Sequence, residues 1–434
     1  MRMSHHSIQN RGFRVLIPSL IIAVAALAYS NIKEFAVTLQ SPTIYQKDFI
    51  NNYVVGKAGL KGIDPYENIA ALASRFIGPV TVNVFPHPSP YPPPSVLLFM
   101  PYGLLSYNHA VYAWHLTQLI CLLASLFLIA KHIELKPQFL PLGLIVISVM
   151  LAWSAVAEEF IWGNAMLVLL LPLTVAWTRL RQRKEIAGGI TLGVVVSLKL
   201  IAWPLLLLLL IKKQFRAALV CLLTVVLANA LAGTVIGFER TIYYYRFIPS
   251  IVTPLYRARV DNFSLYAVGW RFFDGTGSPV FDTLKAEPLI HTPIVASFIS
   301  LVLPIIGLLS ALYLASRSPS FDIAFALMLC ACVVCGPLAW RVYLTWLIIP
   351  LAVALKLSLQ EPKHRYPLLA LAITLLLGYP TPLSLIANAF LQPGETAAPF
   401  TSSLFTFIPL AAVGVLFACL VVARRDCSIG NKFS

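Results

Sequence analysis

Charge is what this 434-residue chain has least of: 11% of its residues are Asp, Glu, Lys or Arg, under half the roughly 25% of an ordinary soluble domain. Beside 59% apolar residues, that scarcity excludes a soluble globular fold. A spanning helix needs about 20 residues, and the chain supplies enough apolar runs for one polytopic integral membrane domain over residues 1–434, all-α in class. Acids are scarcer still, 17 against 32 Lys and Arg. The net +15 is read as membrane topology, with no nucleic-acid partner expected. Of the seven cysteines, six fall in apolar runs, so no disulfide framework is expected, and Cys332 with Cys335 is read as packing, not as a metal or redox pair. Also missing are a Gly-rich nucleotide loop, an H-E-x-x-H, a G-x-S-x-G and any visible internal repeat. Soluble nucleotide chemistry therefore has no visible home.

What is present is a charge pattern that threads the membrane. Residues 15–30 are read as a retained anchor, despite an A-x-A at Ala26–Ala28. Further spans are expected near 109–130, 138–157, 164–178, 217–237, 293–316, 321–338, 342–357, 366–386 and 404–423. The segments between them that are assigned inside, from 1–14 to 424–434, carry 19 Lys or Arg and 5 acids, whereas everything else carries 13 and 12. By the positive-inside rule, both termini should be cytoplasmic and the loops 31–108 and 238–292 should lie outside. The first of these loops is expected to be partly helical and to lie on the outer surface. The stretch 186–211 has basic residues before it (Arg179, Arg181, Arg183, Lys184) and after it (Lys212, Lys213, Arg216), so it must rise and return. Divided at Lys199, each arm is only about 20 Å long, short of the ~30 Å hydrocarbon core. A broken hairpin of this kind is tolerated where it lines a cavity, and it would carry Lys199 there.

The outer loops hold most of the chemically notable residues. Asp48, in Lys47-Asp48-Phe49, is either a helix N-cap or a general base that takes the proton of an attacking hydroxyl. Lys199, Arg341, Arg257 and Arg259 suit a phosphate leaving group, although snorkelling to headgroups is the alternative for the arginines. His87 and Tyr91, in the proline-rich turn Pro86–Pro94, could stack on and hydrogen-bond a sugar. Glu158 and Glu159 are either site acids or interfacial.

The order of these elements resembles glycosyltransferase family 87, polyprenyl-phosphate-mannose-dependent transferases of the GT-C superfamily. The resemblance rests on Asp48-Phe49 with Tyr53, Gly62-x-Asp64-Pro65-Tyr66, Tyr91-x-Pro93-Pro94 and Gly163-Asn164. It continues through Gly188-Gly189-x-x-Leu192-Gly193 leading to Lys199, Asn262-x-Ser264 and Pro337-x-x-Trp340. It implies a GT-C-like fold of about 12 transmembrane or partly spanning helices in the cell membrane, with an outward active site and Asp48 as base. The expected donor is a polyprenyl-phosphate sugar, a hexose such as mannose, and the acceptor a lipid or glycan hydroxyl of the cell envelope. Lys199 and Arg341 would bind the donor phosphate, and His87, Tyr91, Asp64, Tyr66 and Asn262 the sugar or acceptor. No metal or other cofactor is expected. Members often show Gly-Gln where this chain has Gly163-Asn164, and histidine where it has Arg341. The rival readings are a lipid-linked oligosaccharide flippase or transporter, and a polymerase or ligase using diphosphate-linked glycans.

Overall fold

Helix length and lipid exposure sort the helices of this chain into an outer and an inner set. The computed structural model describes residues 22, 24–79, 85–133, 150–278, 285–360, 366–377 and 398–430. The order is α1 (24–37), α2 (Phe49–Leu60), α3 (Ile69–Phe76), α4 (Pro93–Gly103), α5 (Tyr107–His132), α6 (Ser154–Trp162), α7 (Met166–Arg181), α8 (Glu185–Leu198) and α9 (Pro204–Ile211). There follow α10 (Phe215–Ile236), α11 (Phe238–Tyr256), α12 (Leu265–Phe273), α13 (Pro293–Ser316), α14 (Phe321–Val334), α15 (Ile348–Gln360), α16 (Tyr366–Leu377), α17 (Phe400–Phe405) and α18 (Ile408–Gly430). The fold is thus all-α, as expected of a polytopic membrane protein. Half of the anchor 15–30, the span 138–157 up to residue 149, and the end of 366–386 lie outside the described residues.

Among the described residues, four stretches are long and apolar enough to cross a membrane: α5, α10, α13 and the run Arg341–Ser358. Helices α10 and α13 turn leucine, isoleucine and phenylalanine outward, as at Leu223, Leu227, Phe298 and Leu301, which is the surface lipid must cover. Helix α14 is shorter, with 14 residues, and 12 of these are buried. It forms a central pillar against α13, α15 and α18, so its length is set by protein neighbours and not by the bilayer.

The described parts of the basic segments 131–137, 179–185, 212–216, 317–322 and 424–434 meet at one end. There Arg181 pairs with Asp322 at 3.2 Å and donates to the His132 carbonyl at 3.0 Å, Lys212 donates to the Ser318 carbonyl at 2.6 Å, and Arg424 to that of Leu314 at 3.4 Å. From this end α8 rises to Lys199, where the backbone becomes extended (φ −147, ψ 103). A 3-10 turn, Leu200–Ala202, follows, and α9 opens with Pro204 at its first position, where a missing N–H costs nothing. The return is complete by Gln214, whose Nε2 donates to the Leu180 carbonyl at 3.2 Å. The broken hairpin is therefore present with its tip at Lys199. Close packing keeps α8 upright, because a Cβ on Gly189 would stand 2.6 Å from the Ala217 carbonyl oxygen on α10.

The described parts of the two loops expected outside, 31–108 and 238–292, are more structured than the sequence suggested. Helix α2 does not lie on a surface: ten of its twelve residues are buried, because the apolar run that forms α4 packs along it. The second loop opens with the 19-residue α11, whose Tyr244, Ile248, Val252 and Tyr256 form a buried stripe with Tyr66 and Val96.

Candidate active site

A cavity of about 590 Å³ opens at the end opposite the basic cluster, within the 300–1,000 Å³ usual for ligand pockets. Asp48, His87, Tyr91, Lys199 and Arg341 all line it, joined by Glu158, Arg259 and Asp261. Asp64, Tyr66 and Asn262 do not.

Asp48 occupies the N-cap position of α2 but makes no side-chain capping bond. Its carboxylate is instead held by the side chain of Asn164 and faces the positive charges of Arg259 and Lys199. Burial is the stronger influence, and it raises the Asp48 carboxyl to about 6 against the pull of Arg259. Its neighbour Lys47 is buried and donates to the Ile161 carbonyl at 2.7 Å, the Phe160 carbonyl at 3.3 Å and Thr38 Oγ1 at 2.7 Å. Lysine suits those last carbonyls of α6, and the anchorage fixes where the chain enters α2.

Gly163 makes the approach to Asp48 possible. It closes α6 in the left-handed region (φ +69), and a Cβ there would meet Phe49 Cβ at 2.8 Å. Its carbonyl accepts the Trp114 indole N–H at 2.8 Å. Next in the chain, Asn164 Oδ1 accepts from the Ala165 N–H at 2.8 Å and the Tyr91 hydroxyl at 3.3 Å, which leaves Nδ2 for Asp48. Gly163→Ala should therefore cost about 1–2 kcal/mol of backbone strain and displace Phe49. The expected outcome is a lower melting temperature together with slower turnover; unchanged values of both would show that the close approach is not needed.

The three cavity cations differ in their surroundings. Arg259 forms a two-bond pair with Asp261, at 2.9 and 2.7 Å, and Arg341 pairs with Glu158 at 2.6 Å. Among the described residues, no carboxylate lies within ion-pair distance of Lys199. Its ammonium sits between the Tyr91 ring at 4.6 Å and the Tyr343 ring at 4.8 Å. A cation held by aromatic faces keeps its charge available to an arriving anion. His87 Nδ1 donates to the Pro88 carbonyl at 2.7 Å, and Nε2 shares a hydrogen bond with the Tyr256 hydroxyl. Burial also lowers its pKa.

The residues outside the lining support those within it. Asp64 accepts from the Tyr66 N–H at 2.9 Å, and the Tyr66 hydroxyl donates to the Tyr91 carbonyl at 3.2 Å. All four bonding positions of the Asn262 amide go to the protein. Nδ2 donates to the Tyr256 and Pro337 carbonyls, and Oδ1 accepts from the Ser264 and Ala339 N–H groups. That amide thereby ties the arm bearing Arg259 and Asp261 to the one bearing Trp340 and Arg341. The two glutamates separate in role. Glu158 enters the cavity, while Glu159 is fully buried and accepts from the Met166 and Leu167 N–H groups at 3.3 and 3.1 Å, capping α7. Arg257 stacks on Trp270 at 3.7 Å and does not line the cavity. Sequence reasoning singled out neither Asp261 nor the Tyr256 hydroxyl. The sequence signal for Asp261 was the polar run beginning at Arg257, and that for Tyr256 was the four-residue spacing of Tyr244, Ile248, Val252 and Tyr256.

The model for glycosyltransferase family 87 matches residues 90–337, more than half of the chain. That segment holds Tyr91, Glu158, Asn164, Lys199, Arg259 and Asp261, while Asp48 and Arg341 fall outside it. No curated protein and no solved structure matches.

Proposed function

Since the chain belongs to glycosyltransferase family 87 and is a membrane glycosyltransferase, we propose that it moves a hexose, mannose being the first candidate, from a polyprenyl-phosphate donor to a lipid or glycan hydroxyl. The observation that carries this reading is the meeting of the Asp48 carboxylate and the Lys199 ammonium in one cavity. Asp48 takes the proton of the acceptor hydroxyl as that oxygen attacks the anomeric carbon. The carbon's bond to the phosphate oxygen breaks on the opposite face, with oxocarbenium character as in glycoside hydrolysis, and the configuration inverts. The electron pair leaves with the phosphate, whose charge Lys199 receives, assisted by Arg259 and, once it exchanges Glu158 for phosphate, by Arg341.

The rest of the lining fits a lipid-linked sugar. Leu200, Ile201, Ile248 and Pro249 give part of the wall an apolar surface, suited to the first isoprene units. The concentration of basic residues at the far end supports an outward-facing site with both termini cytoplasmic. Protein in nanodiscs should transfer labelled hexose from polyprenyl-phosphate hexose and not from a nucleotide sugar. Transfer only from a polyprenyl-diphosphate glycan would replace this donor with that of a polymerase or ligase.

A further inference from the structure

Asn51 stands one helical turn beyond Asp48, its N–H donating to the Asp48 carbonyl at 3.0 Å, so the two side chains share a face of α2. It is 5% exposed and lines the cavity. Among the described residues nothing bonds its carboxamide, and Oδ1 is wholly enclosed without a partner. The adjacent Asn52 also lacks a partner but does not line the cavity, so Asn51 is the amide presented to a ligand. The enclosed Oδ1 is out of a ligand's reach, so Nδ2, the amide atom left open, is the one that the cavity's occupant can engage.

We propose that Asn51 is a substrate-contacting residue that binds the hydroxyl next to the attacking one, which makes the acceptor a vicinal diol, as in a sugar or cyclitol, and not a simple alcohol. The proposal rests on the role given to Asp48 above. Side chains at i and i+3 lie about 5–6 Å apart, a gap that two neighbouring hydroxyls bridge, one to each side chain. An amide suits this place, because its NH2 donates to a hydroxyl oxygen without competing with Asp48 for the proton.

The test uses protein in phosphatidylcholine nanodiscs, polyprenyl-phosphate mannose as donor, and octyl α-mannoside with its complete set of monodeoxy analogues as acceptors. In the wild type, one deoxy analogue should fail entirely, marking the attacked hydroxyl, and one neighbour should lose about 10-fold in kcat/KM. Asn51→Ala should lose about 10-fold on the intact acceptor and nothing further on that neighbour, with donor KM unchanged. Equal losses on every acceptor, or a raised donor KM, would overturn the assignment. Asn51→Leu should melt no lower than wild type without substrate, and a clear fall would mark a structural role and overturn it. If no transfer occurs from this donor, the donor reading fails separately and melting decides. A rise with octyl α-mannoside that Asn51→Ala abolishes supports the proposal, whereas no rise in the wild type, or the same rise in both proteins, ends it.

Discussion

Asp48→Asn should lower sugar transfer by at least about 100-fold, approaching 10⁴-fold, in a protein that still folds. Asparagine keeps the size and the contact with Asn164 but cannot take a proton. In the wild type, burial holds the carboxyl up to about 6, so activity should fall along an acid limb as pH drops through that value and the base becomes protonated. Stability moves the other way. A carboxyl with a raised folded-state pKa binds protons more readily in the folded chain than in the unfolded one. Its contribution is therefore complete below about pH 4 and is lost as pH rises through 6. At neutral pH the buried charge costs at most about 3 kcal/mol, moderated by its opening on the cavity. Asp48→Asn should accordingly melt higher than wild type at pH 7.5, and the gap should close near pH 4. Retained activity would remove the base, and a melting temperature lowered at every pH would make Asp48 a structural carboxylate.

Lys199→Met should reduce turnover by about 100-fold, with weaker inhibition by added polyprenyl phosphate, the leaving product. Methionine retains the apolar stem between Tyr91 and Tyr343, which separates loss of charge from loss of packing. Lys199→Arg should recover part of the activity, because arginine carries the charge but not the compact point donor that the two rings enclose. Product inhibition as strong as in wild type would show that the departing phosphate rests elsewhere, with Arg259 the next group to test.

The hairpin was legible because three simple facts agree on it: basic residues at both ends, too few residues to cross twice, and a lone lysine near the middle. Asp48 was legible as an acid beyond an apolar anchor, though its capping alternative was settled only by the direction of its side chain. Pairings between distant segments were not legible. Arg341, expected at the donor phosphate, pairs with Glu158, 183 positions earlier in the chain, and nothing local signals that partner. Asn262 was expected at the substrate from the resemblance carried by Asn262-x-Ser264; the satisfaction of its amide by carbonyls and N–H groups of 256–264 and 337–339 depends on two loops docking. Helix α11 was hidden for another reason. Its tyrosines, arginines and prolines dilute the apolar run that marks a span, while the four-residue spacing of Tyr244, Ile248, Val252 and Tyr256 gives the helix away once that period is sought.

The shortness of the α8 arm has a consequence for the carrier lipid. On the proposed topology, fourteen residues climbing about 21 Å from the cytoplasmic edge would leave the floor of the cavity roughly a third of the hydrocarbon depth below the outer headgroups. A lipid-bound headgroup can sink into such a basin while its tail stays dissolved among the acyl chains. With the proposed polyprenyl-phosphate donor, the enzyme would then never have to extract the isoprenoid into water, a transfer opposed by about 0.8 kcal/mol for every methylene.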